Sequence, residues 1–223
     1  KRFNIVVALA IFLLALSPRL FVWSTGSALS TSDYDDYREH GAELFNTGII
    51  SDPHLMPGYA VLTQIFGPHF GIIVVDITLS ALTCVLMWWL SGYLFNDRIA
   101  AILGGIAGAL HPNLILTSAS GLTEPSFTFL FLTSLVLCYK EKYFFGSVVL
   151  ILSILIRPSF DYLAPLLIFV FAVITHGNNF KFGLRKVGIY GLCYIVLMSP
   201  WWIHNLYKYD SFIRLNLADG YVL

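Results

Sequence analysis

Between Phe70 and Leu94 the chain carries one charged side chain, Asp76, and between Phe144 and Ile156 it carries none. Stretches of about 20 apolar residues are long enough to cross a bilayer as helices, and several occur here. Soluble domains hold roughly 25% charged residues; with 12% charged and 57% hydrophobic residues, this chain has too little charge to coat a surface in water. The spacing predicts spans over about 4–23, 70–94, 98–118, 121–139, 144–157, 160–176 and 184–203. Residues 144–157 reach only part-way across, and Arg157-Pro158 breaks them from the next span. Lys1-Arg2 before an apolar run resembles a secretory signal. The run continues past Pro18-Arg19, however, so a retained first span is expected, with further residues before Lys1. Cys84, Cys138 and Cys193 lie in apolar runs without metal-site or disulfide spacing. The zero net charge does not suggest a nucleic-acid partner.

With seven spans and an inner N-terminus, eight basic residues fall inside and five outside, Arg19 among the five. The inner ones sit in short loops, as the positive-inside rule expects. The acids are more lopsided, because only Asp97 and Glu141 fall inside while eleven fall outside or near that face. Acids contribute little to topology, so the outward acidity is read as functional.

The first outer loop, about 24–69, is long enough for structure of its own. Thr31-Ser32-Asp33 is a helix cap, Tyr37, Gly41, Leu44 and Phe45 form one apolar stripe, and Asn46-Thr47-Gly48 ends the helix. A second short helix is expected from Tyr59 to Phe66, between Pro57-Gly58 and Gly67-Pro68. Both would lie along the membrane surface.

In order along the chain, Asp33-x3-Tyr37-x3-Gly41-x2-Leu44-x3-Gly48, Met56-Pro57-Gly58-Tyr59-Ala60-Val61-Leu62, Leu110-His111-Pro112-Asn113 with Leu122-Thr123-Glu124-Pro125, Leu155-Ile156-Arg157-Pro158, Ser199-Pro200-Trp201-Trp202-Ile203-His204-Asn205 and Asn216-Leu217-Ala218-Asp219-Gly220 resemble the motifs of GT-C-type glycosyltransferases. These are the broad group that includes protein mannosyltransferases and the lipid A aminoarabinose transferase. Gly41 stands where that family has Ala, and His204 where it has Arg. The resemblance implies an all-α, polytopic GT-C module over 1–223 with two interfacial helices in the first outer loop, and a C-terminal part beyond Leu223. It also implies an inner-membrane enzyme whose active site faces the periplasmic side. Such an enzyme transfers a sugar from a polyprenyl-phosphate or pyrophosphate donor to an acceptor glycan, lipid or protein, usually with inversion.

That chemistry needs a carboxylate to take the acceptor's proton and donors to stabilise the leaving phosphate. Asp33 is the candidate base at the family's acidic position, with Asp36 and Asp35 on the same helix turn; a capping acid is the plain reading of each. Glu124, at the outer start of a span, is a further candidate. Arg157, His54 and His204 are candidate phosphate contacts, and Tyr37, Tyr59 and Asn205 candidate substrate contacts. Interfacial aromatics are also common for packing alone. The spacing of His54, His69 and His204 leaves a divalent metal open. Two rivals stand beside the enzyme: a transporter using Asp76 and Glu124, and a non-catalytic lipid-binding subunit of the same fold.

Overall fold

The computed structural model describes residues 4–26, 32–68 and 70–216, and among these it is all helical. The helices are α1 (Ile5–Ser24), α2 (Ser32–Thr47), α3 (Pro57–Phe66), α4 (Phe70–Leu94), α5 (Arg98–Ala109), α6 (Pro112–Ser118), α7 (Glu124–Tyr139), α8 (Tyr143–Ile156), α9 (Ala164–Thr175) and α10 (Phe180–Tyr209). The two expected loop helices are α2 and α3. Gly48 (φ 75°) follows the first and Gly67 (φ 95°) the second, left-handed positions that glycine adopts without steric cost. Lys1, Arg2, Thr31, His69 and the segment from Leu217 to Gly220 lie outside the described residues.

Among the described residues three helices, α1, α4 and α10, are long and apolar enough to cross a membrane, and the pair α5 and α6 makes a fourth candidate bent by 49°. Helices α7, α8 and α9 are apolar but shorter. The expected single span over 98–118 is therefore two helices. His111 caps the second through Nδ1, accepting from the Leu114 amide, and Pro112 sits at its first position, where its missing N–H costs nothing.

The chain divides into two compact units, and α2 and α7 each pass from one to the other. The first takes the chain up to Asp35 together with Phe66–Leu132. Its core is Ile11 and Ala15 of α1, Ala81 and Cys84 of α4, and Ala109 of α5. α4 and α5 run antiparallel and close, since a side chain at Gly104 would collide with Ser91.

Arg19, counted with the basic residues of the outer side, is a fully buried side chain of α1. Its Nε donates to Ser80 Oγ (2.8 Å), and its terminal nitrogens donate to the carbonyls of Ala15 (2.6 Å), Ala109 (3.2 Å) and Gly108 (3.5 Å) and to Cys84 Sγ (3.5 Å). Ser80 Oγ donates onward to the Leu114 carbonyl of α6 (3.1 Å). The last carbonyls of a helix lack intrahelical partners, and a cation there also meets the negative end of the helix dipole. One guanidinium thus ties α1, α4 and α5 at the bend, and Ser80 extends the tie to α6.

The second unit takes Asp36–Ile65 and the chain from Thr133 onward. α8 and α9 pack on α10, and the expected break falls at Arg157, whose extended backbone (φ −147°) ends α8 before a 3-10 turn over Pro158–Phe160. The start of α3 abuts that break, for a Cβ at Gly58 would lie 2.6 Å from the Leu155 carbonyl oxygen. α3 also crosses α2 at Gly41, where a Cβ would lie 2.5 Å from the Ala60 carbonyl oxygen. This contact accounts for glycine in place of the alanine that the GT-C resemblance leads one to expect.

Candidate functional site

Within the second unit, the part of α2 from Asp36 onward turns two faces to two tasks. Tyr37 and Gly41 meet α3: the Tyr37 and Tyr59 rings touch edge to face at 5.0 Å, and Gln64 Nε2 donates to the Arg38 carbonyl (3.2 Å). Asp36, Glu39, His40 and Glu43, at spacings of three and four, share the other face. They line a pocket of about 550 Å³ with Ser51, Asp52, His54 and Leu55 of the loop that follows. The turn after Gly48 brings that loop back along the helix. Glu43 Oε2 accepts both the Ser51 amide (2.7 Å) and its hydroxyl (2.9 Å). Asp52 Oδ1 accepts the His54 amide (2.9 Å) and lies 3.1 Å from His54 Nδ1.

The loop is held from behind by residues much later in the chain. His204 Nε2 accepts the Ile50 amide (2.9 Å), the Tyr209 hydroxyl donates to the Ile50 carbonyl (2.7 Å), and Asn216 Nδ2 donates to the His54 carbonyl (3.1 Å). The segment 210–216 folds back as a strap along α10. The Trp201 and Trp202 indoles donate to the carbonyls of Leu215 (2.5 Å) and Arg214 (2.9 Å), and Asn205 Nδ2 donates to that of Ile213 (3.1 Å). Arg214 pairs with buried Asp161, which also accepts from the Tyr194 hydroxyl (2.6 Å), and its guanidinium lies over the Tyr162 ring at 4.6 Å.

The candidate residues therefore separate into kinds. Asp36 and His54 line the pocket. Asp33 is exposed in the first turn of α2, and Glu124 is half-buried at the start of α7. Arg157 caps the break, with Nε donating to Ser159 Oγ (3.2 Å). His204 is placed differently from a phosphate contact: its Nε2 accepts a backbone N–H, so that nitrogen carries no proton, and Nδ1 lies 3.2 Å from Asn205 Oδ1. Asn205 and Tyr59 are wholly buried and Tyr37 is 8% exposed, so these three pack the interior rather than present a face to a sugar. Asp76 is buried on α4 and accepts from Ser126 Oγ (2.8 Å).

Glu39, His40, Glu43 and Asp52 were not among the sequence candidates. For the first three the signal was available in the polar stripe of α2, opposite the apolar one; Asp52 lies in the loop beyond that helix. Among the described residues, four carboxylates and two histidines line the pocket, with no lysine or arginine beside them. Such a wall repels phosphate and favours cations or hydroxyls giving up a proton. It is therefore a poor seat for the phosphate once assigned to His54. Among the described residues, no three His, Cys, Asp or Glu side chains converge in an arrangement able to hold a metal ion. Comparison of the chain with protein-family models, curated proteins and solved structures finds no match.

Proposed function

We propose that this chain is a membrane glycosyltransferase of the GT-C type, crossing an inner membrane about seven times. It transfers a sugar from a polyprenyl-phosphate or pyrophosphate donor to an acceptor on the outer face. The observation that supports this best is the acidic pocket. It is built on the helix and loop that hold the first motifs of the resemblance, and its carboxylates suit proton abstraction from an acceptor hydroxyl. In the proposed reaction the acceptor oxygen attacks the anomeric carbon and a carboxylate of α2 takes its proton. The bond from that carbon to the carrier's phosphate oxygen breaks, and the lipid phosphate leaves with the electron pair. Asp36, which lines the pocket, and Asp33, at the motif position, are the two candidate bases. Arg157 supplies the cation for the leaving phosphate.

Single-turnover transfer from a polyprenyl-phosphate sugar in proteoliposomes tests the reading. Asp33→Asn or Asp36→Asn is expected to slow transfer by about 10²–10⁴-fold, the usual contribution of a general base, with donor binding retained. Wild-type rates in both variants would remove Asp33 and Asp36 as the base. Donor binding by the unmodified chain without any turnover would favour the scaffold subunit instead.

A further inference from the structure

At the far end of the second unit, the α7–α8 turn, the end of α9 and the start of α10 are knotted together. The Tyr143 hydroxyl bonds Thr175 Oγ1, the His176 ring stacks on Phe182 at 3.6 Å, and His176 Nε2 lies 3.8 Å from Glu141 Oε2. Lys186 Nζ lies over the rings of Phe182 (4.6 Å) and Tyr143 (5.1 Å). Around this knot, Lys140, Lys142, Lys181 and Arg185 are exposed. With Lys186 they make five cations against the single carboxylate of Glu141. Phe144, Phe145 and Phe180 stand beside them, each more than half exposed. Tyr143–Ile156, the helix rising from this collar, contains no charged residue.

We propose that this basic, aromatic collar is a docking site for anionic phospholipid headgroups. The charge argument selects the occupant's sign, and the exposed phenylalanines select a lipid over a free anion. A soluble phosphate offers them nothing, whereas acyl chains bury them as the phosphate meets the lysines. Long basic side chains reach headgroups while their stems stay on apolar surface. The site is separate from the acidic pocket and does not depend on the glycosyltransferase reading.

The full chain, purified in neutral detergent and offered equal phosphatidylglycerol and phosphatidylcholine, is expected to retain the anionic lipid preferentially in native mass spectra. Neutralising K140Q, K142Q, K181Q and R185Q together should remove that preference, at about fivefold weaker retention per cation lost. K208Q, at the other end of α10, should leave it intact. Raising salt to about 1 M, where the Debye length is about 3 Å, should weaken it. Should the fourfold variant aggregate, K142Q and R185Q singly must each show the fivefold step. Equal retention of the two lipids, or an unchanged preference in the variants, overturns the proposal. Displacement of phosphatidylglycerol by inorganic phosphate at matched concentration also overturns it, assigning the collar to free phosphate.

Discussion

Two charge arrangements, one in each unit, work in opposite ways. In the first, Arg19 and Asp76 are wholly buried, and the contacts they make join one helix to another. In the second, four carboxylates and two histidines line an accessible pocket, and only some of their capacity goes into fixing the loop. A charge placed deep in an apolar bundle must find partners there, because water is absent and each unmet polar group is expensive. A charge at a solvated rim carries no such demand. Ionisable residues in apolar runs of this chain are thus read first as ties between helices.

Arg19→Met gives the largest test of that contrast. It keeps the apolar stem but leaves the carbonyls of Ala15, Gly108 and Ala109 without this donor, at a cost of roughly 2–4 kcal/mol in unfolding from micelles. Arg19→Lys should recover only part, since an ammonium lacks the planar fork. A stable Arg19→Met chain that had lost activity would move Arg19 into the chemistry and end the comparison. Next comes Gly41→Ala, which would install the residue expected from the resemblance. It should destabilise the packing of α2 on α3 by about 1–3 kcal/mol, and an unchanged unfolding midpoint would show that α3 yields easily. The smallest effect belongs to the pocket rim. Glu43→Ala should cost about 1 kcal/mol and speed exchange of the Ser51 amide about fivefold, with global unfolding little changed. A global loss as large as that of Arg19→Met would mean that the rim is as structural as the buried ties.

Local signals were legible because they act locally. Gly48, Gly67 and Pro158 end or break helices through their own backbone preferences, and α2, α3 and the α8 break fall where those residues stand. The same kind of signal at His111-Pro112 was outweighed by the long apolar run on both sides, so the bend was missed. Remote pairings were not legible. Arg19 sits 90 residues from the Ala109 carbonyl that it meets, and near the end of an apolar run it resembles any interfacial base. Tyr37 and Tyr59 read as sugar-stacking rings because an aromatic in a polar loop has the same sequence signature whether it faces inward or outward. Asp36 was picked out for sharing a helix turn with Asp33, and His54 as a phosphate donor in the outer loop. Their shared pocket depends on the turn at Gly48 and on Glu43 holding Ser51.

The strap behind the pocket loop has a consequence for biosynthesis. Ile50 and His54 are held by His204, Tyr209 and Asn216, partners 154, 159 and 162 residues downstream. At roughly 5–20 residues per second, the ribosome needs about 8–30 s to supply them after the loop itself has emerged. During that interval the acids of α2 are already made, while the loop facing them has only its local tie from Glu43 to Ser51. The back of the pocket loop is therefore fastened late in translation, and a ribosome stalled before His204 would present α2 with a loop held by Glu43 alone.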